Sequence, residues 1–240
     1  MQRIACKVNS RFASKLTYRQ LRDELCLHDE MDINTVNAIF SFCSEHERVI
    51  HTEMKSTVYR HFLPTQWTNI LNVHSHFDDV VKDTFEMFQG AEISYNPRTC
   101  RQIVAPFKTR HHRGAVVFDY DTKCATVIDP SLHNQDDSIR QFIHSRSVDR
   151  YIEALLLTKN KVVGDYIEQT RSKTVFYCPP PVPSSRHNVI SMSFYTRYFM
   201  GASSVLTPNE GHLRRHLEDV AFGILHMKSN VANPKHNAHH

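Results

Sequence analysis

A histidine and an aspartate stand at the two ends of one short apolar stretch. His112 lies in Arg110-His111-His112-Arg113-Gly114, and Asp129 in Val127-Ile128-Asp129-Pro130-Ser131-Leu132. Between them run two apolar, β-branched segments, Ala115 to Tyr120 and Cys124 to Ile128, separated by the polar Asp121-Thr122-Lys123. This pattern predicts a β-hairpin. Antiparallel pairing brings the two ends of a hairpin together, so residues seventeen apart in sequence become neighbours in space. A carboxylate beside an imidazole fixes the tautomer and orientation of the ring, which is the role of the third member of a nucleophile–base–orienter triad. A slip of one residue in the strand register would put His111 in place of His112. The same pair would also serve as a structural clamp on the hairpin, with no chemistry at all.

The elements around this pair must position it. The first 90 residues or so read as helical, with Leu21, Leu25, Val36, Ile39, Phe40 and Cys43 at helical spacing and Asp32 or Asn34 as a cap. A helix is expected from Trp67 to Val73, and a further short one from Asp79 to Phe88, closed by Gly90. Ile103-Val104-Ala105-Pro106 and Thr174 to Cys178 read as strands, the second stopped by Pro179-Pro180-Pro181. Ser138 to Leu157 reads as helix in one or two pieces. Asn188 to Met200 is apolar on nearly every side, so it is expected as a helix buried at the centre of the domain, its aromatics Phe194, Tyr195, Tyr198 and Phe199 forming core. Thr207-Pro208-Asn209-Glu210 reads as a capping box with proline at the first helical position, opening a last helix lined by Leu213, Leu217, Val220, Ile224 and Met227. The whole is an α+β domain spanning 1–227: a helical part over about 15–90, a small mixed sheet and central helix over about 100–200, and a closing helix over 207–227. A polar tail is expected over 228–240.

Composition excludes several classes. With 40% hydrophobic residues among 240, there is enough apolar material for a real core, and disorder throughout is excluded. Six glycines leave no glycine-rich loop to cradle a phosphate. Six cysteines lie far apart with no Cys-x-x-Cys pair, and no apolar run is long enough for a leader or a membrane span. Free thiols in the cytoplasm or nucleus are therefore expected, with no membrane association. His74-x-His76 is the nearest approach to a ligand pair, and neighbours Ser75, Phe77 and Asp78 do not complete a zinc set, so no metal or other cofactor is expected. A net charge of +4 permits an acidic partner or nucleic acid, through Arg110 to Arg113 and Arg214-Arg215-His216, without demanding either.

With these residues in place, the hairpin segment resembles the His-Trp…Val-Ile-Asp…Asp-Ser-Leu hairpin of the SUMO-protease family, and it is similar to the matching hairpin of the adenovirus protease, adenain. Met31-Asp-Ile-Asn-Thr-Val-Asn37 resembles the family's acidic, Ile-Asn-containing helix, and Val104-Ala-Pro106 the strand before the histidine. Pro181 to Phe199 resembles the Gln…Asn-Ser-x-x-Cys-Gly loop that runs into the family's central helix. The likeness spans roughly residues 25–200 and rests on order and spacing more than on identity. It implies a cysteine-proteinase-like fold, a triad in which His112 is base and Asp129 orienter, a ubiquitin-like protein or extended peptide as partner, and an intracellular setting, that of a host cell if the protein is viral.

Three departures count against catalysis. The family's nucleophilic cysteine opens the buried helix, where the helix dipole favours thiolate, and that position here is Asn188 or Val189. The glutamine that supplies an oxyanion donor falls on Pro181, whose side chain has no donor. The tryptophan after the histidine is Arg113. Cys178 is at about the right count for a displaced nucleophile, but it ends a strand ahead of three prolines. Ser184, Ser185 and Ser191 are weaker substitutes still. The expectation is a thiol-protease homologue without peptidase activity, which holds a protein or peptide beside Arg110, Arg113 and Gly114. The alternatives are an active peptidase using Cys178 and a basic structural protein of virions or chromatin.

Overall fold

The computed structural model describes residues 4–8, 12–26, 31–54, 59–73, 84, 87–88, 93, 95–108, 113–132, 134–158, 173–177, 188–200 and 208–232. The described chain runs β1 (Ile4–Val8), β2 (Ser14–Thr17), α1 (Tyr18–Cys26), α2 (Ile33–Glu53), β3 (Arg60–Phe62), α3 (Thr65–Val73), β4 (Gln102–Lys108), β5 (Arg113–Asp119), β6 (Cys124–Ile128), α4 (Asp137–Thr158), β7 (Lys173–Tyr177), α5 (Asn188–Tyr198) and α6 (Glu210–His226).

The main sheet has the order β3-β4-β5-β6-β7, with parallel pairs at its two edges and antiparallel pairs inside. Its strands are apolar at successive positions because both faces are covered. Val104, Ala115, Val117 and Ile128 join the core that contains α2, α5, α6 and the β1–β2 ribbon. Ile103, Ala105, Phe107, Val116, Phe118, Ala125 and Val127 pack on the opposite side with Trp67 of α3 and Val148, Tyr151 and Leu155 of α4. The expected α+β architecture, with helices on a small mixed sheet and a buried central helix, is the observed one. The hairpin is also as expected: β5 and β6 pair from Ala115↔Ile128 to Asp119↔Cys124. Its turn is tied by Asp119, whose Oδ1 accepts the Asp121 and Thr122 N–H groups, and Lys123 sits there at φ 51°. Pro106, which lacks an N–H, is tolerated in β4 because β3 pairs only as far as Val104.

Several elements differ from the sequence reading. The helical first third contains strands: β1 and β2 form an antiparallel ribbon and β3 an edge of the main sheet. The buried polar residues of β3 have dedicated partners that the sequence does not advertise. Glu47 accepts from the Arg60 N–H and guanidinium, and Tyr95 Oη lies 2.8 Å from the His61 ring. The helix ending near Leu157 is one continuous piece, α4. The last helix starts two residues later than expected, because Asn209 and not Thr207 is its cap: Asn209 Oδ1 accepts the His212 N–H and the His212 ring accepts from the Asn209 N–H. Tyr198 is 38% exposed, at the rim of the core and not inside it. Lys228 to Ala232, expected as tail, are held to the fold: Asn230 is fully buried and the Val231 N–H bonds to Lys7 O. The helix read over Asp79 to Phe88 lies outside the described residues except at Thr84, Met87 and Phe88.

Candidate functional site

Asp129 closes β6, and Gly114, the second residue of β5, lies one ladder step beyond the last β5–β6 pair, Ala115↔Ile128. A β-carbon on Gly114 would come 2.6 Å from Phe107 Cζ and 2.8 Å from Ile128 O, so only glycine lets the strands meet here. The Asp129 side chain is sealed from solvent. One carboxylate oxygen, Oδ1, accepts the Ser131 N–H at 3.0 Å and also the Ser131 hydroxyl. The other, Oδ2, lies 2.9 Å from Nε2 of His144, whose side chain is equally buried. A carboxylate only accepts, so Nε2 carries the ring proton. The edge of the His144 ring meets Phe107, with centroids 5.1 Å apart. Among the described residues, Ser131 and His144 thereby take three of the roughly four acceptor positions on the carboxylate.

His144 was not found from the sequence. Its signal was there: it shares a helical stripe with Val148, Tyr151 and Leu155, all buried, and a histidine among core positions needs a polar partner. Ser131 stands in the quoted Asp-Pro-Ser-Leu stretch, and its bonds to Asp129 form a local side-chain turn within the short 3₁₀ segment Pro130–Leu132.

The central helix α5 opens at Asn188 and packs on β5, β6 and the Pro130–Leu132 turn, and Met192 in its second turn shares a cleft with Lys108 and Arg113, beside the Asp129 end of the hairpin. Val189 and Ile190 point into the core, each 1% exposed. Arg113 is half-buried and, with Asp32, Thr65, Lys108 and Met192, lines a cleft of about 280 Å³ between α2, α3, β4 and α5. Arg110, His111, His112, Cys178 and Pro181 lie outside the described residues. Cys43 and Cys6 are buried thiols suited to packing: burial pushes Cys43 up to about 12 and Cys6 up to about 11. Among the described residues no cluster of His, Cys, Asp and Glu could hold a metal ion.

No protein-family model matches the chain, and no curated protein matches it. Solved structures do. The C-terminal Ulp1 protease domain in complex with Smt3, the yeast ortholog of SUMO, superposes with a TM-score of 0.61 over 94% of this chain and 88% of that one, at 13% identity. The chain has the fold of a Ulp1-like SUMO protease domain. Ulp1 with its catalytic cysteine oxidised to a sulfonic acid gives 0.62 at 15% identity, over 93% of this chain and 88% of its own. The Ulp1-like SUMO protease catalytic domain of Chaetomium thermophilum gives 0.60 at 11%, over 91% and 83%. The SUMO-protease fold thus accounts for nearly the whole chain at an identity where architecture is all that the match carries. In this chain the fold's central helix is α5, its hairpin β5–β6.

Proposed function

We propose that this chain is a SUMO-protease-fold protein that has left peptide-bond chemistry and binds a ubiquitin-like protein, by an extended tail, in the groove where peptidases of this fold take substrate. One observation carries the reading: α5 opens on Asn188-Val189-Ile190, and the two apolar side chains are turned into the core. A covalent mechanism needs a thiolate at that helix end, and losing the nucleophile alone removes several orders of magnitude of rate. The commitment of Asp129 to Ser131 and His144 supports it too, since the carboxylate has a structural occupation that is independent of any base.

The partner class is drawn from the Ulp1 domain, whose structure was solved with Smt3 bound. The Arg113 cleft gives an extended tail a place to lie, with Lys108 and Arg113 on adjacent strands at its rim. With such a partner, the setting we propose is the cytoplasm or nucleus. The test joins binding to labelling. The purified protein is titrated calorimetrically with SUMO and ubiquitin, and incubated with their vinyl sulfone derivatives. Saturable binding of one of them, weakened about tenfold or more in Arg113→Glu, without covalent labelling, is the expected result. Labelling that disappears in Cys178→Ala would replace this reading with that of an active peptidase.

A further inference from the structure

A second cavity, of about 440 Å³, opens on the far half of α2, where that helix packs against α6 and the end of α5. Its volume is that of a small-molecule site. The walls are largely apolar, with Phe42 and Val49 from α2 and Phe222 and Met227 from α6 and its cap. Phe222 is 66% exposed at the mouth, its ring centroid 4.2 Å from that of His226 and tilted to it by 37°. The two long helices approach closely enough that Phe42 occupies the place of a side chain at Gly223, a β-carbon there falling 2.1 Å from the ring.

One charged group in this apolar setting has no counter-ion among the described residues. Arg197 rises from the largely buried α5, and its guanidinium lies over the rings of Phe42 and Tyr198 at 5.5 and 5.4 Å. Among the described residues its one hydrogen-bond partner is the ring of His46, which Nη2 reaches at 2.7 Å, while Nη1 is sealed from solvent with no acceptor among them. Burial first, and then Arg197 itself, push the His46 pKa down, so that the ring is a neutral and therefore weak acceptor. Of the two carboxylates on the cavity wall, Glu45 is occupied by the Lys228 and Ser229 N–H groups and the Ser229 hydroxyl. Asp219 is exposed and makes no hydrogen bond or ion pair with Arg197. A guanidinium donor sealed from water without an acceptor costs free energy, which a bound acceptor would recover.

We propose that the cavity between α2 and α6 binds a small amphiphilic carboxylate, its apolar chain lying along Phe42, Val49 and Phe222 and its head group taken by Arg197. A carboxylate accepts two guanidinium N–H bonds side by side and outcompetes a neutral imidazole for them. The site is separate from the Arg113 cleft and does not depend on the protein being a pseudoprotease.

Octanoate, octanol and octylamine share one chain and differ in head group, so they isolate the charge. Titration of the full chain by calorimetry, with heteronuclear NMR of the α2 and α6 amides, should show one octanoate per chain, bound about tenfold or more tighter than octanol. Arg197→Met keeps the apolar stem and should reduce octanoate to the octanol level. Arg197→Lys, which keeps the charge and loses the fork, should fall between them and serves if the methionine variant does not fold. Asp219→Asn should tighten octanoate by removing a like charge. Equal affinity for octanoate and octanol, octanoate binding unchanged in Arg197→Met, or no saturable binding at all would each overturn the proposal. Preference for octylamine would assign the cavity to Asp219 and a cationic ligand instead.

Discussion

Asp129 Oδ2 and His144 Nε2 lie 2.9 Å apart, and neither side chain reaches solvent. This bond fastens the end of β6 to the middle of α4 across the sheet. Replacing His144 by Leu leaves a buried carboxylate supported, among the described residues, by Ser131, so the loss should be about 3 kcal/mol, or a melting temperature about 6–12 °C lower. Asp129→Asn should also destabilise. The double variant should cost clearly less than the sum of the two, because the second change removes the charge the first one stranded. Additive losses in chemical denaturation would show that the two residues act separately.

At Gly114 the obstruction is partly backbone. Gly114→Ala brings a methyl group against Phe107 and the Ile128 carbonyl, and should cost about 1–3 kcal/mol. Adding Phe107→Leu should restore only part of this, since the carbonyl at 2.8 Å cannot be trimmed. Denaturation midpoints of Gly114→Ala, of Phe107→Leu and of the double variant measure the split.

Asn230 holds the end of the described chain. Its Oδ1 accepts the Lys7 and Ala232 N–H groups, and its Nδ2 donates to Ala5 O, Ile224 O and Leu225 O. Asn230→Ala should cost about 2–4 kcal/mol, because it strands several buried backbone groups at once. Truncation after Met227 should do at least as much damage. Thermal melts of both variants would show it.

His216 carries a pH dependence. Its Nε2 lies 2.9 Å from Ser193 Oγ, which donates in turn to Ile190 O, so Nε2 bears the proton and the buried Nδ1 is bare. Burial, reinforced by Arg197, lowers the pKa to about 3. The unfolded chain takes up a proton near pH 6.5 and the folded one does not, so stability falls as pH drops from about 6.5 towards 3, by up to about 1.4 kcal/mol per unit. His46, also lowered, adds in the same direction. In His216→Gln the pH 5–6.5 slope of unfolding free energy should be shallower by about that amount, as urea titrations can measure; an unchanged slope would mean that His216 does not titrate on unfolding.

The hairpin and the central helix were legible because burial on both faces leaves unbroken apolar runs such as Ala115 to Phe118 and Val189-Ile190. The β1–β2 ribbon was not. Its strands are short, with Lys7 and Lys15 turned outward, and Leu21 and Leu25 just after it impose a helical rhythm on the eye. In β3, Arg60 and His61 look like surface residues and are buried only because Glu47 and Tyr95 come to them from elsewhere in the chain. The site was half-readable for the same reason. Asp129 could be picked out by its place at the end of a hairpin, whereas His144 becomes its partner only when α4 is laid on the sheet.

The Val231–Lys7 bond has a mechanical meaning. Residues 7 and 231 are clasped at one point of the molecule, so tension applied between them loads that bond and Asn230 before it reaches the sheet. A short linker joining these two positions would close the described chain into a ring, and new ends could then be opened at the Asp121–Lys123 turn, far along the chain from the clasp.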